Sequence, residues 1–233
     1  MISKLPRWVW LCGWILAFIA GIINAVGFIG IQHQSITHLT GNTTMFAVAV
    51  ANLDRASAFR YCAVLGSFVG GASVSGFIIQ DNALQLGRRY GVVLFLEATF
   101  LAIAALLLNR NNVCGLYSAV FACGLQNAMA TTYSGTVIRT THVSGMWTDL
   151  GIFLGHVLRG LPVDGKRGRM CFLIISGFIC GGVTGVFTFR VMGFSTLFIP
   201  ASITAAASLG YAIYQMRKID KRNCRSHEGS LRG

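Results

Sequence analysis

Apolar positions in this chain run together instead of alternating. Runs of about 20 residues recur, the length a helix needs to cross a hydrocarbon core of about 30 Å. The first reaches from Trp8 to Ile31 and carries Asn24 within it. A polar linker from Gln32 to Thr40 leads to a short apolar piece, Gly41 to Leu53, whose 13 residues are too few to cross unaided. Asp54, Arg55 and Arg60 then mark a surface loop. A span rich in Gly and Ser follows, Tyr61 to Ile79, whose small residues let helix backbones approach closely. Beyond a polar loop with Arg88 and Arg89, Gly91 to Leu108 predicts a further span holding Glu97, and Asn109 to Asn112 a tight turn.

The order then repeats. Val113 to Tyr133 is a span, Val143 to Leu158 a short amphipathic piece, and Arg159 to Arg169 the most basic internal loop. Met170 to Phe189 is again rich in glycine, and Gly193 to Tyr214 is the last span. From Arg217 the tail is charged and expected to be disordered. The repetition reaches individual residues. Thr37-His38-Leu39-Thr40-Gly41-Asn42-Thr43-Thr44 returns as Thr141-His142-Val143-Ser144-Gly145-Met146-Trp147-Thr148. Each copy follows Gly-x-x-Asn-Ala, at Gly21 to Ala25 and at Gly124 to Ala128. Downstream, Gly70-Gly71 corresponds to Gly181-Gly182, and Leu94-Phe95-Leu96 to Leu197-Phe198-Ile199.

The expected fold is therefore an all-α polytopic transmembrane bundle. It has six full spans and two short re-entrant segments, in repeats over 8–108 and 113–214, with a cytoplasmic tail from 215 to 233. Three spans per half would make the halves inverted, with paired short segments at matching positions, an arrangement that marks binding sites in transporters.

Composition supports the membrane assignment. Hydrophobic residues make up 54% of the 233 and charged residues only 11%, against roughly 25% charged in soluble domains. The formal charge of +12 does not point to nucleic acid, because the basic residues sit at loop ends and in the tail, where the positive-inside bias puts them. Fifteen of the 19 basic residues fall on one side whether six or eight segments cross, so both termini are expected in the cytoplasm of an inner-membrane protein. Lys4 and Arg7 precede an apolar stretch too long for a signal peptide and without a cleavage site, which predicts a retained first helix. The seven cysteines lack Cys-x-x-Cys spacing and mostly lie in apolar runs, as packing residues do.

Polar residues in such runs need partners or a role. Gly41 and Gly145 are the natural breaking points. The hydroxyls of Thr40, Thr43 and Ser144, together with Asn42, can satisfy freed amides or hold a guest, and half-helix N-termini there would suit an anion or carboxylate. His38 and His142 are mates under the repeat, as are Asn24 and Asn127. These ten residues are the candidate binding set, with the two motif copies expected to face each other. The same residue types also mediate helix packing in membranes.

Two acids break the repeat: Glu97 aligns with Pro200, and Asp149 with Met45. A carboxylate at the centre of a span costs on the order of 3 kcal/mol and usually faces the bundle interior. Asp149 lies seven residues from both His142 and His156, on one helical face. Asp149 and Glu97 are therefore the proton-coupling candidates, with pairing to a nearby Arg as the alternative for Asp149.

The run Asn24 to Phe28, the first Thr-His motif, Gly124 to Ala128 and the Thr-His-Val-Ser-Gly echo resemble the YoaK-like family of uncharacterised bacterial multi-pass membrane proteins. The resemblance spans nearly the whole chain and implies an inner-membrane protein of six spans, without naming a substrate. Ser144-Gly145 departs from the Thr-Gly expected in the second copy. The residues favour a small secondary transporter or permease for a small molecule or ion, acting without a cofactor. An intramembrane enzyme lacks support, since there is no His-Glu-x-x-His and no Gly-x-Ser-x-Gly. A scaffold would explain the small residues but not the polar pairs. The partners expected are the bilayer and the transported species, with homo-oligomer formation open and no metal.

Overall fold

The computed structural model describes residues 7–31, 36, 39–80, 89–134 and 142–230, with the helical path alone for 7, 8 and 217–230. The helices are α1 (Arg7–Gly30), α2 (Leu39–Ala51), α3 (Arg55–Ile78), α4 (Arg89–Asn109), α5 (Cys114–Ser134), α6 (Val143–Leu158), α7 (Gly165–Met192) and α8 (Phe198–Ser230). A 3-10 turn, Gly193–Leu197, joins the last two. No strand occurs among the described residues.

Four stretches are long and apolar enough to cross a membrane: Val9–Gly30, Arg55–Ile78, Arg89–Asn109 and Gly165–Met216. The last has 52 residues, about 78 Å of helix if unbroken. It is divided at Gly193, whose φ of 56° and N–H bond to the Phe189 carbonyl end α7 as a left-handed cap does. α5 is more polar, with Gln126, Asn127, Thr131 and Thr132 along it. Thirteen of its 21 residues are buried, so protein surrounds it over most of its surface.

Several boundaries differ from those expected, each for a local reason. Asp54 does not open a loop. Its side chain accepts from Ser57 N at 3.1 Å and caps α3, so the helix begins at Arg55 and takes in Arg60. That hydrogen bonding also holds the Asp54 carboxyl below its ordinary value. Leu53, at φ 57°, makes the turn from α2 to α3 tight. Asp164 likewise caps α7 through Lys166 N at 3.0 Å, which draws Arg167 and Arg169 out of the basic loop and onto a helix. α8 continues past Arg217 to Ser230, where a disordered tail was expected. Gly41 and Gly145 do not break helices. α2 and α6 begin two residues before them.

The glycines arrange the helices in matched pairs. A Cβ at Gly181 would strike the Phe18 carbonyl, and one at Gly21 would strike the Phe178 carbonyl, so α1 and α7 touch backbone to backbone. In α3 and α5, Gly71 meets the Phe121 carbonyl and Gly124 the Phe68 carbonyl in the same way. These contacts correspond residue for residue under the repeat once α3 is aligned with α7 one position later than the sequence suggests, Gly71 with Gly181. Trp14 beside Gly177 and Ile22 beside Gly185 show that α1 and α7 run parallel.

The long helices α4 and α8 pack together in antiparallel fashion, joined by bonds from Ser208 to the Gly91 carbonyl (2.8 Å) and from Asn109 to Ser195 (3.0 Å). α4 also forms a hairpin with α5, pinned by Ser118 to the Phe100 carbonyl at 2.7 Å and by the Phe100 and Phe121 rings. Among the described residues, α2 packs on α3 alone and α6 on α7 alone.

Candidate coupling site in the bundle interior

α5 packs on α4 along one side and touches α1 on another, and two polar side chains stand out in this largely apolar interior. The buried face of α4 comprises Tyr90, Val93, Glu97, Leu101, Ala104 and Leu108, so helical periodicity places Glu97 in the middle of an apolar stripe. Glu97 is 0% exposed, and neither carboxyl oxygen finds a hydrogen-bond partner among the described residues. Cys123 of α5 lies beside it. One turn along α5, Gln126 is also 0% exposed. Its Nε2 donates to the Leu16 carbonyl of α1 at 2.8 Å, while its Oε1 has no partner among the described residues.

Leu16 lies towards the start of α1 and Gln126 towards the end of α5. Tyr133, near the end of α5, lies beside Cys12 near the start of α1. α1 and α5 therefore run antiparallel past each other at this point.

Three buried oxygens thus lack donors among the described residues, and the ring contacts Tyr90–Tyr133 and Phe100–Phe121 bracket Glu97 and Gln126 between the facing helices α4 and α5. Most buried polar groups are hydrogen-bonded, and each exception calls for an explanation. The repeat supplies an internal comparison: the position matching Glu97 of the first half is Pro200 of the second, and the position matching Gln126 of the second half is Ile23 of the first. Both mates are buried and apolar, so the polar pair occurs once in the bundle.

The expected binding set is dispersed. Thr37 and His38 lie outside the described residues, as does Thr141. Thr40 and Gly41 are exposed on α2, and open space surrounds Gly41. Thr43 and Thr44 donate to the carbonyls of Leu39 (2.9 Å) and Thr40 (3.0 Å), four residues back on their own helix. Thr148 does the same to Ser144 at 3.0 Å.

Asn42 is buried where α2 docks, and its mate Met146 is buried where α6 docks. His142 is exposed and stands as the N-cap of α6 without a side-chain capping bond; Gly145 approaches only that ring. Ser144 is exposed. Asn24 and Asn127 are half-buried on α1 and α5. α2 and α6 make no contact with each other among the described residues.

Asp149 pairs with Arg167 of α7 at 2.9 Å, ahead of His142 or His156 as a partner. An α6–α7 ion pair of this kind, with Arg167 more than half exposed, contributes up to about 1 kcal/mol. No group of three or more metal-ligating side chains occurs among the described residues.

Residues 12–210 match the family described as protein of unknown function DUF1275. The chain belongs to the DUF1275 family. No curated protein and no solved structure matches it. Within this DUF1275 chain, Gln126 escaped the sequence reading because it occupies a variable position of the Gly-x-x-Asn-Ala motif. The available signal was its departure from the repeat, glutamine opposite Ile23.

Proposed function

We propose that this protein is a small secondary transporter of the inner membrane, built from two inverted halves of three crossings each, with its coupling group at Glu97. The observation that carries this reading is the fully buried carboxyl of Glu97, without a hydrogen-bond partner among the described residues, at the middle of an apolar helix. An ionisable group in that setting is costly to insert and marks ion or substrate pathways.

Inversion is supported by the antiparallel passage of α1 and α5, the first helices of the two halves, and by the exchange of partners between halves at the glycine contacts. The half-buried pair Asn24 and Asn127 lies on these same helices and supplies candidate substrate contacts.

The motif residues on α2 and α6 fit a second role. The described threonine hydroxyls at 43, 44 and 148 are bonded to their own helices, which favours a structural joint at the motif over a substrate site there.

The test needs a substrate. Thermal-shift screening of small metabolites finds one, because a ligand that binds only the folded state raises Tm. Uptake of that compound into proteoliposomes against its gradient, driven by an imposed pH difference, is the measurement. Glu97→Gln should lose accumulation at least tenfold while keeping the ligand-induced Tm shift. Equal accumulation by wild type and Glu97→Gln across pH 5 to 8 would remove Glu97 from the mechanism.

A further inference from the structure

We infer that Glu97 and Gln126 form a proton-operated latch between α5 and α1, in which Gln126 is a positioning residue whose amide reads the charge of the carboxyl. The inference rests on the transporter reading and supplies what that reading lacks, a link between a proton and a movement. α1 packs with α7, which carries α6; α5 packs with α3 and α4. The Gln126 to Leu16 bond ties these two groups of helices.

An amide has one donating and one accepting end. With Glu97 protonated, its O–H can donate to Gln126 Oε1 while Nε2 keeps the Leu16 carbonyl, and one bridge joins α4, α5 and α1. With Glu97 ionised, the carboxylate only accepts, and Gln126 Oε1 would turn a lone pair towards an anion. Rotating the amide instead gives Nε2 to the carboxylate, a charge-assisted bond stronger than the neutral one it replaces. The Leu16 carbonyl then loses its donor from α5, and α1 is released. One proton arrives from water at one membrane face, resides on a Glu97 oxygen and leaves to water; no other species is consumed.

The surroundings leave Glu97 as the group that titrates here. Cys123 is the titratable side chain facing it from α5. Among the described residues α1 does not pack on α4; of α8, the buried Ala201, Thr204 and Ser208 do not titrate, and Tyr211 lies beside Gly91, more than one turn from Glu97. α3 touches α4 lightly and carries no acid or base between Val64 and Ile78. Tyr90 on α4 and Tyr133 near the end of α5 lie about two turns away towards one end of the bundle. The repeat mates of the pair, Pro200 on α8 and Ile23 on α1, are apolar, so the latch exists once and its operation moves α1, α6 and α7 against α3, α4 and α5.

The experiment uses full-length protein in nanodiscs with Cys12 retained, Thr132→Cys added and the other cysteines replaced. Spin labels at these sites on α1 and α5 report a distance distribution by pulsed electron resonance as pH is varied. Infrared difference spectra of the unlabelled protein follow the carboxylic acid C=O band over the same range.

Two distance populations should exchange with pH, their ratio changing about tenfold per pH unit where a single proton governs. The acid band should rise in step with the shorter population. Glu97→Gln, neutral at every pH, should hold the shorter distance throughout and lack the band. Gln126→Met should keep the band but lose the change in distance. A wild-type distance that ignores pH, or one that still responds in Glu97→Gln, overturns the latch. If Glu97→Gln does not fold, the wild-type titration and Gln126→Met decide by themselves. None of these readouts needs a substrate. A pH-driven distance change without any transport would keep the latch and end the transporter reading; uptake through a pH-insensitive structure would do the reverse.

Discussion

A hydroxyl on the outer face of a membrane helix has no water to bond, and Thr43, Thr44 and Thr148 solve this by donating to the carbonyl four residues back. Thr44 and Thr148 are mates under the repeat and make the same bond, which accounts for a threonine there without a guest. Thr44→Val and Thr148→Val should accordingly change unfolding stability by no more than about 0.5 kcal/mol and leave any ligand-induced Tm shift intact. Loss of that shift in either variant would restore the motif as a binding site. Sequence could mark these residues as repeated and polar but not show where their hydroxyls point. Glu97 was legible at once, since any acid inside an apolar run stands out. Gln126 was not, because its significance depends on Leu16, a residue 110 positions away in sequence.

At the scale of elements, the boundaries that sequence predicted well are those set by hydrophobic run length. α6 runs from Val143 to Leu158 as expected, and α1 ends within one residue of expectation. Those it missed are set by single polar contacts: Asp54 starts α3 six residues early by capping it. The sequence pairs Gly70 with Gly181, whereas the helix contacts pair Gly71 with Gly181, because adjacent glycines at 70 and 71 are equivalent in sequence but not in space. A Cβ at Gly71 would be 3.1 Å from Leu125 N and still closer to the Phe121 carbonyl, whereas Gly70 faces only the edge of the Phe121 ring at 3.5 Å.

These distances make a graded prediction. Gly71→Ala and Gly181→Ala each force two backbones apart and should cost about 1–3 kcal/mol, as overpacking does. Gly66→Ala and Gly76→Ala meet open space and should gain slightly from helix propensity. Thermal unfolding in detergent ranks the four, and equal Tm values would show that the close approach is not required.

For the molecule as a whole, the proposed six crossings put the loop before α4 in the cytoplasm and the turn between α4 and α5 outside. Eight crossings would reverse both. In a cysteine-free background, Asn111→Cys should react with an impermeant maleimide in intact cells and Gln85→Cys only after permeabilisation; the opposite pattern would establish eight.

The backbone contacts of α1 with α7 also bear on how the protein is made. α1 leaves the ribosome first, yet the helix that covers its glycine face begins at Gly165. At 5–20 residues per second, synthesis of the intervening chain takes on the order of ten seconds or more. Throughout that interval the Gly21 face of α1 lacks the α7 backbone that covers it in the finished fold. α3 waits a far shorter time for α5. The α3–α5 contact can therefore close while the chain is still growing, whereas the matching α1–α7 contact closes only near the end of synthesis. Two interfaces alike in geometry are thus separated in time, and the later one sets when the chain becomes a protein.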